Sequence, residues 1–272
     1  MYKIGWFSTG RGAGSRNLLT AMRESIESGD VKAEIEFVFC SREPDEADGS
    51  DSFIRLVTDY GLPLVCFSYQ RFKRSRGSPS ANPDDLPDWR LDYDREVMSR
   101  LSSFNPDLCV LAGYMLVVGR EMCAEYQMLN LHPAAPGGPV GTWQDVIWEL
   151  IDKGAESSGV MMHLVVPELD RGPVVSYATF PIRGGDFDRY WVDNAGMTAG
   201  QIRETQGEEN RLFQQIRHHG ATRELPLIVA TIKAFSQGKV RVTLQGQVVD
   251  DKGQPIKGYD LTHEIDRKLS LT

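Results

Sequence analysis

The chain has 272 residues, 41% of them hydrophobic and 25% charged, with 30 Lys and Arg against 38 Asp and Glu for a net charge of −8. This length suits one large α/β domain or a domain with an appendage. The acidic excess argues against nucleic-acid binding through overall charge, and no apolar run is long enough to span a bilayer. Residues 1–6 lack the apolar segment of a signal peptide, so a cytoplasmic protein is the expectation. Cys40, Cys66, Cys109 and Cys123 show no Cys-x-x-Cys spacing and read as free thiols, neither disulfides nor metal ligands.

Residues 2–8 read as a short central strand. The run Thr9-Gly10-Arg11-Gly12-Ala13-Gly14-Ser15-Arg16-Asn17 follows as a glycine-rich turn, and a helical pattern opens at Leu18. A strand, a glycine-rich turn and a helix together make an anion site, because backbone N–H groups and the helix N-terminus face the ligand. Residues 33–40 form a second strand, 52–60 a helix, and 63–67 a third strand. The acidic loop 43–48 reads as solvated. Residues 68–88 are the least regular, with the cationic run Arg71 to Arg76 suited to a phosphate or to no partner at all.

A helix over 89–104 carries Leu91, Val97, Met98 and Leu101, and the strand 108–112 delivers residues 113–118 to its carboxyl end, where open α/β sheets bind ligands. Asn130 and His132 stand two apart at the end of another strand, on a Pro/Gly-rich turn. Asp170 arrives from the turn Glu168 to Pro173. An amide to steady an oxyanion, an imidazole to move protons and a carboxylate to orient it are the parts of an acyl-transfer site. A turn-capping Asn and a structural His fit the same residues equally well. Thr142 is set to cap a helix over 143–152, and His163 reads as packed within the strand 159–166. Beyond the strand 174–180, residues 184–222 are long and polar, with a helix through 210–216. A separate helix over 226–237 and strands at 238–242 and 246–249 follow. The polar end past 258 reads as loosely packed or self-associating.

Asn130-Leu131-His132-Pro133, preceded by Leu111 to Met115 and followed by Gly159 to Val165 and Glu168 to Pro173, resembles the folate-dependent formyltransferase family in motif and order. The likeness runs from the first strand to about residue 182. It implies a Rossmann-like formyltransferase fold, α/β with a mostly parallel central sheet flanked by helices. It also divides the chain into a catalytic core over 1–183, an atypical insert with closing helix and strands over 184–249, and a tail over 250–272. The implied reaction moves a formyl group from 10-formyltetrahydrofolate, the donor co-substrate, to the amine of glycinamide ribonucleotide in purine biosynthesis, with no metal. Asn130, His132 and Asp170 become the catalytic residues. Gly14, Ser15 and Asn17 match the family's phosphate turn, with Gly12 beside them and Arg16 interrupting it, and Tyr114, Met115, Leu116 and Val117 match the folate pocket.

The turn 134–142 departs from the family's Ser-Leu-Leu-Pro continuation, and Glu208, Glu209 and Glu224 compete for contact with the acceptor ribose. A formyltransferase acting on another amine, such as an amino-sugar nucleotide, and a non-catalytic folate or nucleotide sensor stay open. The expected partners are small molecules, the ribonucleotide amine and the folate, with neither nucleic acid nor membrane, in a monomer or homodimer.

Overall fold

The computed structural model describes residues 1–76 and 86–270. The Ser/Pro/Asn/Asp-rich part of the irregular segment, residues 77–85, lies outside the described residues. The chain forms two compact units, Met1–Asn130 with Leu164–Gly172, and Leu131–His163 with Pro173–Thr272.

The first unit holds β1 (Tyr2–Ser8), β2 (Ala33–Cys40), β3 (Leu64–Cys66), β4 (Leu108–Leu111) and the start of β5 (Met128–His132) in the order β5-β4-β1-β2-β3, with every neighbouring pair parallel. Parallel strands must be covered on both faces, which is why β1 and β4 read as apolar runs and not as alternation. The covering helices are α1 (Ala13–Glu27), α2 (Asp48–Asp59), α3 (Tyr69–Arg76), α4 (Asp88–Leu101) and α5 (Arg120–Glu125). Phe7, Phe37 and Phe39 pack with Tyr93, Val97 and Leu101 of α4 and with Met122 of α5. The chain runs outward from β1 through β2 to β3, then returns to place β4 on the other side of β1. That reversal is a topological switch point.

Three readings are corrected here. α1 starts at Ala13, five residues before Leu18; Gly14 and Ser15 are weak helix formers, but the first turn needs no partner four residues back. Residues 69–76 are helical, and Arg71 bonds Glu43 at 2.6 Å and pairs with Glu46 at 3.0 Å. The acidic loop is therefore a partner of the cationic run, with the Glu46 side chain only 6% exposed. The buried face of α4 is Arg90, Tyr93, Asp94, Val97 and Leu101, so two charged residues occupy core positions in place of Leu91 and Met98.

In the second unit, α6 (Trp143–Asp152) starts on Thr142, whose hydroxyl accepts from Asp145 N at 3.2 Å, as its sequence requires. β6 (Ser157–Leu164) pairs antiparallel with β7 (Val174–Pro181). The polar stretch after residue 184 folds as α7 (Asp186–Asp193), α8 (Ala199–Thr205), a 3₁₀ turn (Gly207–Glu209) and α9. α9 (Arg211–Ser236) is one helix in place of two, with Pro226 inside it. Proline removes one helical hydrogen bond; burial of Leu212, Phe213, Ile216, Leu227, Ile228 and Ile232 on the same helix offsets that loss. β8 (Val240–Val242) and β9 (Val248–Asp250) make the expected closing pair. The end of the chain is not loosely packed. β10 (Tyr259–Asp260) adds in parallel to β7, and α10 (Thr262–Leu269) buries Ile265 completely and pairs Asp266 with Arg223 at 2.8 Å.

Candidate active site

At the switch point of the first unit, the segments after β1 and β4 are joined through Thr9. Its backbone N–H donates to Gly113 O at 3.0 Å, and its hydroxyl accepts from Met115 N at 3.0 Å and from Ser41 Oγ at 3.0 Å. Gly10 turns the chain at φ +68, and its N–H donates to Ser8 Oγ at 3.1 Å. Gly113, at φ +72, lies so close to Ser15 that a Cβ there would stand 2.6 Å from Ser15 Oγ. Only glycine fits both the backbone angle and the approach.

Gly12 is the extended N-cap of α1 and offers no side-chain acceptor, and the first turn carries no acidic residue. The N–H groups of Ala13, Gly14 and Ser15 thus keep the dipole end of the helix positive. Ser15 is buried, Arg16 half-buried, and Gly14 and Asn17 exposed. Gly12, Gly14, Ser15, Arg16 and Asn17 thus all lie on one cap and its first helical turns.

The four residues matched to the folate pocket take different places on the loop between β4 and α5. Tyr114 is 7% exposed, and its ring packs edge-on against Phe7 and Phe39. Burial pushes its hydroxyl well above the usual tyrosine range. It supports the loop from beneath. Met115 is 58% exposed at the crest, and Leu116 and Val117 are half-buried. Gly119 closes the loop by donating its N–H to Asp94 Oδ2 at 2.7 Å.

Asn130 is half-buried in β5 and stands opposite Leu111 of β4. Asp170, also of the first unit, is half-buried at φ +53, one of two non-glycine residues among those described with a positive φ. Aspartate tolerates that region better than most residues, and such strain gathers at functional turns. In the second unit His132 is 2% exposed. Its Nε2–H donates to the carbonyl of Pro139 at 3.0 Å. The His163 ring, also buried, stands edge-on to it at 6.0 Å. His163 is thus packed within its strand, as read, with its ring against His132.

The altered turn 134–142 supplies the acceptor for His132, which its sequence did not reveal. Glu224 is taken up by Arg217 at 2.5 Å, whereas Glu208 and Glu209 lie on the 3₁₀ turn. Sequence reasoning missed Thr9, Ser41 and the Arg90–Asp94 pair. The last carried a legible signal, an Arg and Asp four apart in helical phase with Tyr93, Val97 and Leu101. No group of His, Cys, Asp and Glu able to hold a metal ion occurs among the described residues.

The phosphoribosylglycinamide formyltransferase of Escherichia coli (strain K12) is 34% identical over 174 residues, covering 63% of this chain and 69% of that one. The Haemophilus influenzae protein of the same name is 24% identical over 264 residues, which is 95% of this chain and 99% of that one. Among solved structures, the phosphoribosylglycinamide formyltransferase from Coxiella burnetii superposes with a TM-score of 0.66 at 20% identity, covering 95% and 98% of the two chains. Formyltetrahydrofolate deformylase from Burkholderia mallei reaches 0.59 at 18% identity over 92% of this chain and 69% of its own, so the fold alone does not separate transfer from hydrolysis. Residues 7–189 match the formyl transferase family, and with the resemblance to the E. coli protein this places the chain in that family.

Proposed function

We propose that the chain transfers a formyl group from 10-formyltetrahydrofolate to the amine of glycinamide ribonucleotide. The observation that carries the reading is the Thr9 link, which joins the loop holding Met115, Leu116 and Val117 to the turn that opens α1. An anion-binding helix end and a partly apolar loop are what a phosphorylated amine and a folate require. The E. coli and H. influenzae relatives support the choice of amine.

In this reaction the amine nitrogen attacks the formyl carbon, and the carbonyl electrons move onto oxygen. Asn130 donates to that oxyanion, and protonated His132 steadies it and then gives its proton to the leaving folate nitrogen. Asp170 favours the imidazolium and takes the proton released by the amine. The formyl group and one proton change places, so the balance closes without an oxidant or a metal. The test is an assay with 10-formyltetrahydrofolate and glycinamide ribonucleotide that follows both tetrahydrofolate and the formylated product. Equal release of the two supports the proposal. Folate turnover without formylated amine shows hydrolysis, and inactivity with this amine but activity with an amino-sugar nucleotide moves the acceptor; either result overturns it.

A further inference from the structure

Arg90 and Asp94 lie on the core face of α4, 3% and 1% exposed. Arg90 Nη1 donates to Asp94 Oδ1 at 2.5 Å, and Asp94 Oδ2 accepts from Gly119 N at 2.7 Å. The guanidinium also faces the buried Tyr114 hydroxyl. α4 does not need this pair to pack, because Tyr93, Val97 and Leu101 on the same face already enter the core. A buried ion pair is weak evidence for stability, since apolar residues of similar volume often serve as well or better. What an apolar pair cannot do is accept the Gly119 amide.

That amide marks the point where the loop after β4 stops and α5 begins, Gly119 being the N-cap of α5. The packing is close. A Cβ at Gly119 would stand 2.7 Å from Leu91 Cδ2 and 2.9 Å from Asp94 Oδ2. The loop is therefore tied at both ends by polar groups buried in the first unit, Thr9 at Gly113 and Met115, and Asp94 at Gly119. Between the ties Met115 reaches its crest, and Tyr114 is held beneath it against Arg90, Phe7 and Phe39.

We propose that Asp94, with Arg90 as its counter-charge, is a positioning residue for the folate donor: it fixes the far end of the 113–119 loop through the Gly119 amide. The inference rests on the reading that this loop receives the donor. Asp94 touches no substrate; it acts through the loop.

Two double variants test it, Arg90→Met/Asp94→Asn and Arg90→Met/Asp94→Leu. Both lack Arg90, so any other contribution of that residue is held constant, and only the asparagine variant keeps an acceptor for Gly119 N. The expected result is a KM for 10-formyltetrahydrofolate about tenfold higher in the leucine variant than in the asparagine variant, the size of one lost hydrogen bond, with the KM for the amine within about twofold. Equal donor KM values in the two folded proteins overturn the proposal.

Deuterium uptake of the 113–119 segment adds a readout independent of activity. It should be as slow as that of β4 in the parent and faster in the leucine variant than in the asparagine variant. Should the leucine variant fail to fold, uptake in the parent decides: protection comparable to β4 supports the anchor, and exchange within seconds overturns it. If the parent transfers no formyl group, the function fails while the difference in uptake still decides the role of Asp94.

Discussion

Buried polar side chains are arranged differently in the two units. In the first, Ser8, Thr9, Ser15 and Ser41 gather around the ends of β1, β2 and β4, where Thr9 alone bonds three other segments or residues. In the second, Ser176 bonds Thr231 at 2.6 Å, the His132 ring stands against His163, and Asn210 ties Asn194, Gln206 and the Phe213 N–H at 2.9, 3.0 and 3.1 Å. Ser176 and Thr231 join β7 to α9, and Asn210 is the N-cap of α9, so these bonds hold elements and helix ends in place, as structural hydrogen bonds do. What sets the first unit's group apart is its place, at the carboxyl ends of strands beside a topological switch point, where open α/β sheets bind ligands. His132 is the exception in its unit, because its buried imidazole is tied to a turn carbonyl.

That contrast breaks first at His132. His132→Ala should lower kcat by about 10²–10⁴ with the fold retained by circular dichroism; unchanged turnover would return this histidine to the structural pairs. Phe213, 1% exposed and packed on Trp148 with ring centres 4.7 Å apart, belongs wholly to the second unit's core. Phe213→Ala should cost about 3–5 kcal/mol in denaturant unfolding. Asp170 separates charge from backbone. Asp170→Asn should reduce kcat about a hundredfold. Asp170→Gly should lose at least as much activity while its melting temperature stays level or rises, because φ +53 suits glycine.

Thr9→Val keeps the shape but removes the acceptor for Met115 N. A cost of about 1–3 kcal/mol in stability is expected, together with higher KM values for both substrates. A rise in only one of them would show that the turn and the loop are independent.

The smallest effect concerns His219, whose ring lies against Phe180 and Phe187 and whose burial, with Arg223 and His218 nearby, lowers its pKa. A depressed folded value means the neutral ring stabilises the fold above the usual histidine pKa. That contribution falls away as pH drops through the depressed value. His219→Gln should therefore flatten the acid side of a melting-temperature profile between about pH 5 and 7.

Much of this was legible because it is local. The apolar run of β1, the glycines after it, the Thr142 cap and the order of motifs through Asp170 depend on neighbours in sequence. The start of α1 was missed because the first buried apolar residue, Leu18, comes more than a turn after the helix begins. α9 was read as two helices because Pro226 is a local signal, whereas the burial that overrides it comes from tertiary packing. Arg71 read as meeting a phosphate or no partner at all until folding brought Glu43 and Glu46 to it. No local pattern encodes a partner 28 residues away, the separation of Arg71 from Glu43.

The acceptor that holds His132 is a main-chain oxygen of Pro139, a group that every amino acid carries. The turn therefore acts on the imidazole through its path and not through its side chains. A reading of residue types along 134–142 is blind to this contact, although the course itself depends on Gly137 and Gly141, at φ +74 and +108, and on Gly138, where a Cβ would stand 2.8 Å from Ala135 O. A one-residue insertion or deletion is what it cannot absorb. The contact with His132 thus constrains the length of the turn and the glycines that set its course.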